Sequence, residues 1–77
     1  MPRYHFDLRY DEEPWSDDPE GIDLDGPEQA RVEALDLAGS IAKEQVRNHW
    51  RISVRVRDSV PEPLLQVELS VTKKDRT

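Results

Sequence analysis

A period-two alternation that recurs on either side of one helix-length segment constrains this chain more than any other feature. Across residues 3–10, Tyr4, Phe6, Leu8 and Tyr10 fall on one side, with Arg3, His5, Asp7 and Arg9 on the other. Successive side chains of a strand point to opposite faces, so this pattern predicts a strand with one buried and one wetted face. The alternation returns as Ile52, Val54 and Val56 against Arg51, Ser53, Arg55 and Arg57. It returns again as Leu65, Val67, Leu69 and Val71 against Gln66, Glu68, Ser70 and Thr72. The β-branched residues of these stretches suit a pleated, half-buried surface. A further short strand is expected within Gly21–Asp25, where Ile22 and Leu24 point the same way.

The middle segment changes period. Asp25-Gly26-Pro27-Glu28 is a helix-start signal, with a capping Asp, a proline in the first turn and a Glu three residues on. At 100° per residue, Ala30, Ala34, Leu37, Ala38 and Ile41 share a face, flanked by Leu35, Ala42 and Val46. Glu33, Asp36, Ser40, Lys43 and Arg47 lie opposite. Small alanines let the helix axis approach a sheet, Gly39 is a weak interior position, and the helix is expected to end near Asn48. The order β-β-α-β-β predicts an α+β fold of two layers, one helix packed on a four-stranded, mainly antiparallel sheet. An order 2-1-3-4 satisfies the short connections. Residues 1–72 then form one domain, with 73–77 a frayed polar tail. The sheet face away from the helix is expected to be uncovered.

Seventy-seven residues leave room for one core, and a domain of this size is thin enough in net stability that self-association is expected. There is no cysteine, which excludes disulfides, thiolate metal sites and a cysteine nucleophile. No apolar run reaches membrane-spanning length and the first residues mix charges with aromatics, so a cytoplasmic chain without membrane contact is expected. The net charge of −6 is concentrated, since residues 11–28 hold nine acidic residues and no basic one. Residues 11–20 combine six of these acids with two prolines and are expected to form a solvated loop.

No catalytic pattern emerges. His5 and His49 are the only imidazoles and neither sits in a triad or zinc spacing, and no phosphate loop or nucleophile elbow is present. The acidic loop does not fit a calcium loop, because the registers set by Gly21 and Gly26 put Pro27 and Val32 at the twelfth position. No cofactor or metal is expected. The binding candidates lie on the basic strand face: Arg3, His5, Arg9, Arg51, Arg55 and Arg57, to which Trp15 is added as an aromatic in a polar loop. Guanidinium forks suit phosphate or carboxylate. A fold-back of Trp15 onto the core, and closure of one end of the core by Trp50, are the plainer expectations for the two indoles. Nucleic acid is not favoured, since Tyr4, Phe6 and Tyr10 are expected to face the core and cannot stack bases.

The opening Met1-Pro2-Arg3-Tyr4-His5-Phe6-Asp7-Leu8-Arg9 resembles a family of short uncharacterised bacterial proteins, common in rhizobia and their relatives, that begin MPRYxFxLR. The similarity continues through the acidic loop, Glu20-Gly21, and Ala30, Glu33, Ala34 and Leu35 of the helix, over roughly residues 1–46. The second half departs from the family's pattern, since Asp58–Pro63 contains no glycine where a hairpin turn is usual. This resemblance implies a domain of unknown function and a fold, with no site residue to carry over. A weaker similarity links the strand-turn-helix region to antitoxins of the HicB type. The function expected is a small non-enzymatic protein-interaction module with a protein partner, able to form a homodimer. The alternative is an antitoxin-like or regulatory nucleic-acid binder using the basic sheet face.

Overall fold

The computed structural model describes residues 2–45, 47–48, 50–60 and 62–70. Its elements run β1 (Arg3–Tyr10), β2 (Ile22–Asp23), α1 (Pro27–Gln45), β3 (Arg51–Arg57) and β4 (Leu65–Ser70). They form one four-stranded sheet in the order β2-β1-β3-β4, with each neighbouring pair antiparallel. The α+β class, the strand order and the helix-on-sheet layering match the alternation and the helix period. Val46, His49, Pro61, Val71, Thr72 and the tail 73–77 lie outside the described residues, so the end of the expected β4 and the frayed tail do too.

The register shows why one face is dry. Phe6 pairs with Val56, Leu8 with Val54 and Tyr10 with Ile52, while Val56, Val54 and Ile52 pair on their other side with Leu65, Val67 and Leu69. That apolar face meets Ala30, Ala34 and Ala38, all fully buried, and forms a core with Tyr4, Phe6, Val54 and Val56. The alanine line lets α1 lie close against β3 and β4, and the apolar arc is narrower than the sequence suggests. Leu35, expected to flank the core, is 49 % exposed. The helix begins with the Gly26 carbonyl accepting from the Ala30 N–H at 3.1 Å, and Pro27 takes the first position, where its missing donor costs nothing. In the glycine-free turn after β3, the Asp58 carboxylate accepts from the Val60 N–H at 2.9 Å, closing the reversal through an Asx turn.

Three expectations fail. The opposite face of the sheet is not uncovered, because the acidic segment 11–20 folds back along the free edge of β1 and over the arginines. Trp15 joins that cover instead of the core. Trp50 does not close the core either; it is 50 % exposed and lies against Arg51, 4.6 Å from the guanidinium carbon to the ring centroid.

Candidate protein-interaction site

The polar face is built from two strands in register. Asp7 sits opposite Arg55, with His5 opposite Arg57 and Arg9 opposite Ser53. Asp7 is therefore flanked by two arginines, and its buried carboxylate accepts from Arg55 Nε at 2.8 Å, Arg57 Nε at 2.5 Å and Arg57 Nη2 at 3.0 Å. The Asp18 N–H adds a fourth bond at 2.9 Å. Burial works against the charge on Asp7, but Arg57, the Asp18 amide and Arg55 together outweigh it and hold the group at about 2. Arg57 is raised in turn, chiefly by its hydrogen bond to Asp7.

The acidic segment is fastened over this face at two aspartates. Asp11 turns the chain out of β1 with φ 55°, a left-handed conformation that Asp tolerates better than most residues. Its Oδ1 accepts the N–H groups of Trp50 at 2.8 Å and Arg51 at 3.1 Å, and its own N–H donates to the Arg51 carbonyl at 2.8 Å. Asp18 fastens the other end. Its carboxylate accepts the N–H groups of Phe6, Glu20 and Gly21, each at 3.2 Å, replacing the partner strand that β1 lacks there. Burial opposes that charge as well, but the three amides prevail and the group is lowered. His5 Nδ1 lies 2.9 Å from the Asp18 carbonyl, which can only accept, so Nδ1 carries the proton.

Between those anchors the segment lies on the arginines. Ser16 and Leu8 exchange backbone hydrogen bonds at 2.7 and 3.0 Å. The Trp15 ring contacts the guanidinium of Arg55 at 4.4 Å and that of Arg9 at 5.1 Å, and Asp17 pairs with Arg55 Nη2 at 3.0 Å. Arg51 is held more loosely, with Glu12 at 3.9 Å and Glu68 at 4.0 Å. At the far end Arg3 pairs with Asp23 across β1 and β2 at 3.0 Å and donates to the Glu20 carbonyl at 3.1 Å. A cleft of about 300 Å³ there is lined by Pro2, Arg3, His5, Asp58 and Ser59.

All seven candidate residues thus share one face, in three groups: Arg3 with His5, Arg55 and Arg57 with Arg9 and Trp15, and Arg51 beside Trp50. The sequence reading placed Asp7 on this face but gave no organising role to the aspartates that hold it together, Asp7, Asp11, Asp17 and Asp18. The one signal available was Asp7 on the same alternating face as the arginines. Among the described residues, no group of three or more His, Asp or Glu side chains is placed to hold a metal ion, and no helix is long and apolar enough to cross a membrane.

The family model described as domain of unknown function DUF6894 matches residues 3–70. The chain belongs to the DUF6894 family. The matched span runs from the first residue of β1 to the last of β4, so the DUF6894 unit includes the whole sheet, the helix and the acidic cover. No curated protein and no solved structure matches the chain. The family name assigns no activity, and the function has to come from the geometry.

Proposed function

We propose that this DUF6894 chain is a small non-enzymatic protein-interaction module, cytoplasmic, that self-associates through the edge of β4. The observation that carries this reading is the contrast between the two sides of the sheet. The free edge of β1 is closed by β2, the Leu8–Ser16 pair and the Asp18 carboxylate. No strand among the described residues pairs with the outer edge of β4. Natural edges are guarded by lysines, prolines or bulges, and the six residues of β4 contain neither Lys nor Pro. Leu65, Val67 and Leu69 are only half-buried beneath α1, and Leu64, Val32 and Leu35 are exposed nearby in the chain or on the helix. A second copy of β4 would pair the bare edge and cover part of that surface.

The nucleic-acid alternative needs free arginines, but Asp7 and Asp17 already engage Arg55 and Arg57, which favours the protein-binding reading. Sedimentation velocity at ~50 mM and ~500 mM salt tests the proposal, since main-chain pairing survives a short Debye length and arginine–carboxylate contacts do not. The expected result is a dimer at both concentrations that Gln66→Lys, at an exposed position of β4, converts to a monomer with an unchanged circular dichroism spectrum. A wild-type monomer at every concentration refutes it.

A further inference from the structure

Residues 12–17 lie on the arginine face in the manner of a peptide ligand carried in cis. Their ends are fixed by the Asp11 and Asp18 side chains, and the stretch between touches the sheet through the Leu8–Ser16 backbone pair, a Glu13 N–H bond to the Tyr10 carbonyl, the Trp15 ring and ion pairs from Asp17 to Arg55 and, more loosely, from Glu12 to Arg51. Extended peptides dock on sheet edges by this combination of main-chain pairing, an aromatic anchor and complementary charge. The occupant is imperfect, however. Arg9 Nε, Arg51 Nε and Ser53 Oγ are buried without a partner. Arg9 and Ser53 are direct cross-strand neighbours, and Arg51 lies two positions along the same face. Ser53 is fully buried, and among the described residues Arg9 has no carboxylate partner, only the Trp15 ring. All three groups can donate, and a carboxylate brought to this end of the face would find a donor waiting.

We infer that this face is a docking site for an acidic peptide segment of a partner protein, with an aromatic anchor flanked by carboxylates, and that residues 12–17 hold its place until such a segment displaces them. The incoming segment takes over the stack on Arg9 and Arg55 and the contact to Arg55, and supplies the acceptor missing at the Arg9–Ser53–Arg51 end. This rests on the interaction-module reading but uses the opposite part of the molecule from the β4 edge.

The test uses the full chain carrying Trp15→Ala and Asp17→Asn, which removes the ring and the ion pair that hold the segment over the arginines while Asp7, Asp11 and Asp18 stay in place. A dye-labelled peptide with the sequence of residues 12–20 is titrated in and its anisotropy followed. A short tether gives the cis segment an effective concentration on the order of millimolar, so the vacated variant should bind the peptide at least ~10-fold more tightly than the wild type. Adding Arg9→Gln should abolish that gain. Four results would overturn the inference: no binding to the folded variant, equal binding to both proteins, equal binding of a peptide with Ala in place of Trp, or tighter binding of a mixed-sequence oligonucleotide. If the double variant loses its circular dichroism, Asp17→Asn alone carries the comparison, with a smaller gain expected and no gain refuting. Sedimentation of the same proteins reads the β4 association separately, so a dimer that ignores the peptide sinks only this inference.

Discussion

Replacing Asp7 by Asn removes one charge, changes almost no volume, and strikes the group on which the polar face converges. The carboxylate is fully buried and accepts from Arg55, Arg57 and the Asp18 amide. Removing one partner of a buried ion pair costs about 3–5 kcal/mol when the other is stranded away from water. Here the guanidinium side chains are 21 % and 31 % exposed, and Arg55 keeps Asp17. Water and Asp17 therefore offset part of the loss, and the expected cost falls to about 2–3 kcal/mol. The protonation equilibrium gives a second route to the size. A fall from 3.8 to about 2 corresponds to about 2 kcal/mol of preference for the charged form in the folded state.

The two routes agree, and the second predicts a pH dependence. A carboxylate whose folded value is lowered contributes stability that is present above its unfolded value and lost as pH falls through the folded one. For Asp7 that window runs from about pH 5 down to about pH 1. Urea unfolding followed by circular dichroism should show Asp7→Asn unfolding ~2 M earlier at pH 7, for a slope of about 1 kcal/mol per molar. The gap should close as pH falls toward 2. Asp18 and Asp23, also lowered, titrate in both proteins and cancel in the difference. A gap below ~1 kcal/mol at pH 7, or one as wide at pH 2 as at pH 7, refutes this account of Asp7.

Two glycines should respond in opposite directions to alanine. Gly21 has φ 77°, and an added Cβ there would lie 2.9 Å from Arg3 Cγ and 3.0 Å from the Tyr4 carbonyl oxygen. Gly21→Ala should therefore cost more than about 1 kcal/mol in a urea melt, since the backbone oxygen cannot step aside. Gly39 is mid-helix with nothing near the position of a Cβ, so Gly39→Ala should stabilise by about 0.5–1 kcal/mol. Asp11→Ala loses the acceptor shared by Trp50 and Arg51 in a left-handed position and should cost about 1–3 kcal/mol, whereas Asp11→Asn keeps an acceptor and tolerates that backbone. Equal melts for the two Asp11 variants would show that the side-chain cap is idle.

The fold was legible because its information is local. The alternation in β1 and β3 and the alanine line at positions 30, 34 and 38 specify which faces must meet, and few sheet orders accommodate them. The cover over the arginines was not legible, because its contacts join Asp7 to Arg57 and Asp11 to Arg51, residues 50 and 40 apart, through single aspartate side chains. Composition alone marks residues 11–20 as a solvated loop. The segment is indeed a largely exposed loop; what composition does not show is that it satisfies buried polar groups, since β1 has edge amides with no strand beside them, and Asp18 and the Ser16 backbone supply the acceptors. Leu35 erred the other way, since hydrophobicity says that a residue can be buried and not that the sheet extends far enough to bury it.

The composition of the polar face argues against stability as its purpose. Buried ion pairs can usually be exchanged for apolar residues of similar volume without loss, and often with gain. A chain of 77 residues, with a core built on three alanines and a handful of larger side chains, has little net stability to forgo. Its second face nevertheless buries Asp7 and Ser53 and leaves Arg9 Nε, Arg51 Nε and Ser53 Oγ unpartnered. Each unpartnered donor lowers the stability of the closed form, and each recovers a hydrogen bond when an acceptor arrives from outside. A face that is closed, charged and incompletely satisfied holds its cover more weakly than an apolar face would, and that weakness lets an acidic aromatic segment compete with residues 12–17. Changing Ser53 to Ala, which deletes the orphaned hydroxyl, should leave the folded protein as stable or more so in a urea melt. A hydroxyl serving the fold would give a measurable loss of stability instead.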